Sequence, residues 1–162
     1  MKNKILYALI LLLILNLTGC QNAKNAKIEI VEFEAIMHDV DGNMIVPKNH
    51  AAFAVHGKDG EIILDAVFVK YKDRMSVADL SKAICRELEI PISFSGIGPM
   101  AYVQGIANLF EFDNGPESGW VYCVNGEFQG VSSGDYTVRE CDYVEWFYTL
   151  DLGKDVGGYK LY

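Results

Sequence analysis

Two runs of aromatic and β-branched residues, each holding one of the two tryptophans, constrain the fold more than any other feature of the chain. The first is 120–124, with the sequence WVYCV, and Asn125-Gly126 follows it; the second is 143–149, with the sequence YVEWFYT. Such residues favour strands because they pack well on a pleated, half-buried surface. An Asn-Gly pair tolerates the positive φ of a tight turn. We therefore predict two strands, the second of them central because both of its faces are apolar.

A hairpin and one helix are predicted before these runs. Runs 51–55 and 61–69 flank Lys58-Asp59-Gly60, which is a strong hairpin signal. The helix is predicted to begin at Ser76, whose hydroxyl can accept backbone N–H bonds, and to end before Pro91. It carries one apolar stripe, formed by Val77, Leu80, Ile84 and Leu88. A helix with one stripe buries it against a sheet. The order predicts an α+β fold, a β-grasp-like mixed sheet packed on one helix and preceded by an extra N-terminal strand.

The remaining segments are predicted to be short strands and loops. We expect a strand from 28 to about 37, a turn at 38–43, and strands at 92–95 and from 102. The turn has Asp-x-Asp-x-Asn spacing, but the glycine and glutamate of an EF-hand loop are missing from their positions, so a turn is favoured over a calcium site. We expect 107–119 to be a loop.

The N-terminus predicts export. A short apolar core, 5–15, follows Lys2 and Lys4 and is too short to span a bilayer as a helix. Leu17-Thr18-Gly19-Cys20 resembles a bacterial lipobox, in which the peptide is cut before the cysteine and the thiol is lipidated. The expected organisation is a signal peptide at 1–19, a lipidated tether at 20–27, an N-terminal strand and loop extension at 28–50, and a domain at 51–162. We expect Cys20 to anchor the protein to the outer face of the cell membrane.

The charge of the chain limits its partners. The formal net charge is −8, and loss of two lysines with the signal peptide makes the mature chain more acidic. Nucleic acid requires a basic face, so we do not expect a nucleic-acid partner. The expected partners are the membrane, a small molecule and a surface protein.

The sequence predicts neither catalysis nor a metal site. His38, His50 and His56 have no zinc-ligand spacing. The cysteines after the lipobox are Cys85, Cys123 and Cys141; one bridge is possible, with Cys123–Cys141 favoured, but the sequence does not choose among three pairings. No G-x-S-x-G elbow or phosphate loop is present. We expect no enzyme and no required cofactor.

Three segments of the chain resemble the transcobalamin-like C-terminal domain, a β-grasp module of exported Gram-positive proteins and of vertebrate cobalamin carriers. They read YVQGIANLFEFDNGPESGWVYCVNG, DYTVRECDYVEWFYT and DLGKDVG. The resemblance covers about 51–157. Where the family has a Lys-Asp-Gly-Asp turn, this chain has Arg139-Glu140-Cys141-Asp142, so the glycine's backbone freedom is lost at Cys141. In the carriers a separate helical domain covers the other face of the ligand; this sequence shows no counterpart of it, so we expect a ligand to be half covered unless another protein contributes.

The resemblance implies cobalamin or a related corrinoid as a ligand, bound by a surface lipoprotein of a Gram-positive cell. We expect the contacts to come from region 102–128, where aromatic side chains offer flat apolar area. The candidate ligand-binding residues are Phe110, Phe112, Trp120, Tyr122 and Asn125. The alternative is a surface interaction or adhesion module, in which the same loop contacts a protein or a glycan.

Overall fold

The computed structural model describes residues 28–31 and 36–158 and shows a mixed α/β fold with two sheets and one α-helix. The main sheet has six strands in the order β1-β3-β2-β9-β7-β8, and the small sheet has three in the order β4-β5-β6. The strands are β1 Ile30–Val31, β2 His50–His56, β3 Ile62–Lys70, β4 Ile92–Ser95, β5 Tyr102–Ile106, β6 Leu109–Phe110, β7 Gly119–Val124, β8 Glu127–Phe128 and β9 Tyr143–Thr149. The helix α1 is Val77–Glu87.

Strand β9 lies in the middle of the main sheet, as its apolar sequence predicts. It pairs in parallel with β2 and antiparallel with β7. The turn after β7 also has the predicted conformation, with φ of 53° at Asn125 and 78° at Gly126. The hairpin of β2 and β3 closes through a 3₁₀ turn at Lys58–Gly60. Alternate residues of these strands lie on opposite faces, so Phe53 and Val55 join the main core, whereas Ala52 packs on the other face.

Helix α1 begins where the sequence predicts. Ser76 accepts a hydrogen bond from the Asp79 amide, and the Asp79 carboxylate accepts one from the Ser76 amide, which completes a capping box. The helix ends at Glu87, several residues before Pro91, because Glu89 adopts a left-handed φ of 56°. Proline is therefore not the direct cause of its end.

The helix packs most of its predicted stripe against one face of the main sheet, and this layer is the core. Val77, Leu80 and Ile84 are buried together with Phe53 and Trp146 of the sheet, whereas Leu88, the C-cap residue, is 37% exposed. The Trp146 indole N–H donates to the Ser81 hydroxyl at 2.9 Å, so the single polar atom of the buried tryptophan is satisfied by the helix.

Two predicted segments differ from the structure. Residues 107–119 are not wholly a loop, because Leu109 and Phe110 form β6 and pair with Ile106 and Gly105. A two-residue strand between turns leaves too short a pattern to be recognised in the sequence. The N-terminal strand covers Ile30–Val31, and 36–37 lie outside any strand, so it does not reach Met37 as a strand. Residues 32–35 lie outside the described residues.

The N-terminal segment 36–47 covers part of the other face of the main sheet. Met44 and Val46 pack with Ala52 and Phe68 in a second apolar cluster. The predicted turn is present: both the Asp41 and the Asn43 amides donate to the Asp39 carboxylate. This side-chain capping of the local backbone stabilises the turn.

Candidate ligand-binding site

An aromatic cavity of about 210 Å³ opens where the small sheet meets the β7–β8 edge of the main sheet. Its walls come from β5, β7, β8 and β9 and from the loop 129–133. The lining residues are Tyr102, Val103, Trp120, Val121, Tyr122, Phe128, Gln129, Val131, Ser132, Ser133, Trp146 and Gly158. We call this space the aromatic cavity.

The inner wall is a cluster of rings around Tyr122. Its ring centroid lies 5.3 Å from that of Trp146 and 6.4 Å from that of Tyr136. The Tyr122 hydroxyl donates to the Val131 carbonyl at 2.9 Å, which ties β7 to the loop that closes the cavity. Burial, and then the nearby Tyr136 and Asp135, raise the pKa of Tyr122, so the phenol stays neutral.

The polar atoms of the wall already have partners. The Trp120 indole N–H donates to the Leu109 carbonyl at 2.9 Å, and its ring contacts that of Tyr148 edge-on. The Ser133 hydroxyl donates to the Ala101 carbonyl, and that of Ser132 to the Pro99 carbonyl. Within the described part of the chain, no buried side-chain nitrogen or oxygen lacks a partner. The cavity therefore suits a group that needs little hydrogen bonding.

Exposed apolar side chains surround this part of the surface. Tyr102 and Val131, which line the cavity, are 43% and 46% exposed. Ile97 and Met100 are 86% and 76% exposed, and their turn is hydrogen-bonded to the loop 131–134. A local group of this kind is typical of a surface that contacts a ligand or a partner.

The structure brings together two of the five candidate ligand-binding residues. Trp120 and Tyr122 line the aromatic cavity, whereas Phe110 and Phe112 do not. The Phe110 ring lies so close to Gly105 that a Cβ there would come within 2.6 Å of it, which fixes β6 on β5. Phe112 is 64% exposed, with a left-handed φ of 69°.

Asn125 lies at the other end of β7 and has a structural role. Its side-chain oxygen accepts from the Tyr143 amide, and its side-chain nitrogen donates to Asp142. It borders a second cavity on the other face of the sheet. Asn125 therefore does not line the aromatic cavity.

Sequence reasoning did not identify the loop 129–133, with Val131, as part of the wall, and it included Tyr102 only within the general region 102–128. The loop reads QGVSS, a turn-like composition without periodicity, and it reaches the cavity through the long-range bonds of Tyr122 and Ser133. The available signal for this loop was Tyr122, which stands among apolar residues in its strand. Its buried hydroxyl needs a hydrogen-bond partner elsewhere in the chain, and the loop supplies that partner.

The cysteines and histidines form no reactive or metal-binding group in the structure. Cys85, Cys123 and Cys141 are all free, so the favoured Cys123–Cys141 bridge is not formed. Burial raises the pKa of Cys85 and of Cys123 to about 12, which keeps both thiols protonated and unreactive. Among the described residues, no group of three or more His, Cys, Asp or Glu side chains is arranged to hold a metal ion. Cys20 lies outside the described residues.

Comparison with known proteins finds a family model and several solved structures that match this chain. A family model described as a domain of unknown function (DUF4430) matches residues 76–149, from the helix cap to the end of β9. The chain is similar to the crystal structure of "a putative metal binding protein from Ruminococcus gnavus ATCC 29149", with a TM-score of 0.48 and 14% identity over 63% of this chain and 97% of that one. It is also similar to haptocorrin in complex with Cbi, with a TM-score of 0.41 and 19% identity over 62% of this chain and 25% of that one. A search of curated proteins finds no match.

None of the helices in the described part of the chain has the length and apolarity needed to cross a bilayer.

Proposed function

We propose that this chain is a non-catalytic ligand-binding protein whose site is the aromatic cavity, and whose ligand is a flat small molecule, cobalamin or a related corrinoid. The observation that carries the proposal is the cavity itself: Trp120, Tyr122 and Trp146 form its wall, and their polar atoms are already bonded within the protein. Such a site binds a ligand mainly through apolar contact, and its internally bonded polar groups contribute little to making or breaking covalent bonds in that ligand.

The size of the cavity limits what enters it. A volume of about 210 Å³ accommodates one edge of a large ligand, so a macrocycle would lie across the mouth against Tyr102 and Val131. Covering about 300 Å² of apolar surface yields on the order of 7 kcal/mol at roughly 25 cal/mol per Å². Association costs about 4 kcal/mol or more. We therefore expect weak to moderate affinity from this chain alone.

The corrinoid identity comes from the sequence resemblance in β7 and β9, which carry the SGWVYCVNG and YVEWFYT segments. A β-grasp description of the fold belongs to the same proposal. It is supported by the hairpin of β2 and β3, which precedes the helix, and by the parallel pairing of β9 with β2.

The proposed location is the outer face of the membrane of a Gram-positive cell, with an anchor at Cys20. The support is the lipobox-like sequence and the short polar tether after it. A test is metabolic labelling with a palmitate analogue: wild type should incorporate label, and Cys20→Ser should not. Labelling that persists in Cys20→Ser would contradict the anchor without bearing on the ligand site.

A second candidate function, a surface interaction module, is favoured by Ile97 and Met100. Their exposure of 86% and 76% is unusual for large apolar side chains, and their turn is hydrogen-bonded to Ser132 of the loop that lines the aromatic cavity. A protein partner could cover these side chains and the open side of a bound ligand together. A photo-crosslinking amino acid at position 100, used on intact cells, would capture such a partner, whereas the same residue at position 62 would not.

The ligand proposal is tested by titrating the purified protein with cobalamin and cobinamide, followed by visible absorbance and calorimetry. We expect saturable binding to wild type. Val131→Asp places a charge at the apolar mouth without removing the backbone carbonyl that holds Tyr122, and it should weaken binding by about tenfold or more.

The matched control is Val40→Asp, because Val40 is fully exposed in the distant 39–43 turn. It should bind like wild type. Equal binding by Val131→Asp would place the site elsewhere, and the absence of heat and band shift at high micromolar ligand would exclude a corrinoid ligand for the isolated chain.

A further inference from the structure

A second cavity lies on the other face of the main sheet from helix α1. Its volume is about 530 Å³, and it opens between the N-terminal turn and the β7–β9 end of the sheet. The lining residues are His38, Gly42, Asn43, Met44, Asn125, Gly126, Tyr143 and Glu145. Side chains alternate between the faces of a strand, so Glu145 of β9 points away from the core that its neighbour Trp146 enters. We call this space the Glu145 cavity.

The Glu145 carboxylate is the only acidic group in the lining that the structure describes, and its side chain is 17% exposed. Its Oε1 lies 3.2 Å from His56 Nε2, and its Oε2 accepts from the Cys123 thiol at 3.6 Å. The Tyr143 hydroxyl is a further hydrogen-bond partner. A carboxylate has about four lone-pair positions, so one position is left for another donor.

The groups around Glu145 do not supply a permanent positive charge. Burial, followed by the nearby Glu145, raises the pKa of both Cys123 and Tyr143, so both remain neutral donors. His56 is the ion-pair partner, and an imidazole is charged only when protonated. Lysine and arginine are absent from the lining described by the structure. A carboxylate that is only 17% exposed and has no permanently charged neighbour is stabilised further by a cation.

The chemistry of the lining decides which cation fits. Among the described residues, no group of His, Cys, Asp and Glu side chains is arranged to hold a metal ion, so a bare metal lacks ligands here. The Tyr143 ring and the Met44 thioether offer polarisable apolar surface beside the carboxylate. We propose that the Glu145 cavity binds a small organic cation of the alkylammonium class, with its charged nitrogen against the Glu145 carboxylate. This inference is independent of the corrinoid proposal.

The test is an NMR titration of the ¹⁵N-labelled protein with choline and with its neutral carbon isostere, 3,3-dimethylbutan-1-ol. We expect choline to shift the amide signals of 38–44, 125–126 and 143–145, and the neutral compound to bind at least about tenfold more weakly. No saturable shift with choline at millimolar concentration, or equal shifts with the neutral compound, would overturn the proposal.

Two variants assign the effect to the carboxylate. Glu145→Gln keeps the shape and the hydrogen-bond acceptor but removes the charge, and it should weaken choline binding by about tenfold. Glu89→Gln, at the exposed end of the helix on the opposite side of the sheet, should bind like wild type.

Met44→Lys addresses the case in which Glu145→Gln fails to fold. Its aliphatic stem can keep the packing of Met44 on the Val46 cluster, while its ammonium occupies the position of the ligand. It should abolish choline binding. Retained binding in a folded Met44→Lys protein would overturn the proposal.

Discussion

At the scale of single residues, Cys141 shows how the fold imposes a backbone conformation that its residue does not favour. Its φ is +67°, in the left-handed region, although it is not a glycine. The turn is held by bonds on both sides: the Cys141 amide donates to the His50 carbonyl, and the Arg139 amide donates to the Asp142 carboxylate. The resemblance to the transcobalamin-like family places a glycine at this position. The loss of that glycine therefore leaves the turn in place and strains it.

This strain predicts the order of stability of two variants. A left-handed conformation costs about 1 kcal/mol or more for a residue with a Cβ and almost nothing for glycine. Both Cys141→Gly and Cys141→Ala remove the sulfur that contacts the Pro47 carbonyl, so that loss cancels in the comparison. We expect Cys141→Gly to be more stable than Cys141→Ala. The difference in the free energy of unfolding is about 1 kcal/mol from the relief of strain, reduced by the extra conformational entropy that glycine gives the unfolded chain. Urea unfolding of the pair measures this, and equal midpoints would contradict the argument.

At the scale of elements, the bond between Trp146 and Ser81 joins β9 to helix α1 across the core. Both residues are buried, and Ser81 also donates to the Val77 carbonyl one turn earlier in the helix. A serine inside a helix usually weakens it. Here the hydroxyl serves as the acceptor for an indole that would otherwise be unpaired.

Ser81→Ala should therefore cost more than the loss of one hydroxyl. It leaves the buried Trp146 N–H without an acceptor, and we expect a loss of about 1–3 kcal/mol in the free energy of unfolding. In a Trp146→Phe background, where no indole N–H remains, the same substitution should cost markedly less. Denaturant unfolding of the four proteins gives the coupling energy, and additive effects would show that the bond contributes little.

The elements that the sequence predicts well are those whose pattern is local. The capping box at Ser76, the Asn-Gly turn and the apolar run of β9 each carry their own signal, and all three are present. Strand β6 was missed because its two residues depend on pairing with β5. The part of the aromatic cavity formed by the loop 129–133 was not predicted because it also depends on contacts distant in the sequence. Trp120 and Tyr122 stand out in a strand, whereas Val131 reaches the wall only through long-range hydrogen bonds.

At the scale of the whole molecule, one sheet separates two different environments. The face toward helix α1 leads to the aromatic cavity, where polar atoms are paired internally, and the opposite face holds the Glu145 cavity. Each side also buries one thiol: Cys85 lies in the helix on one side, and Cys123 beside Glu145 on the other. Burial on both sides of the sheet gives the fold a common response to alkaline pH.

That response is a loss of stability above about pH 9. Burial raises the pKa of Cys85 and of Cys123 from 9.0 to about 12, so the native protein keeps both thiols protonated where the unfolded chain ionises them. Because the folded-state pKa is the higher one, the stabilisation is complete below pH 9 and is lost as the pH rises toward 12. Each thiol contributes at most about 1.4 kcal/mol per pH unit in that interval.

Urea unfolding of wild type and Cys85→Ala under reducing conditions, from pH 7.5 to 10.5, separates the contribution of the Cys85 thiol to this slope from that of other groups. Cys85→Ala should be less stable at neutral pH because of the space it leaves, yet lose stability less steeply above pH 9. Parallel curves would show that the helix thiol does not contribute to the alkaline response.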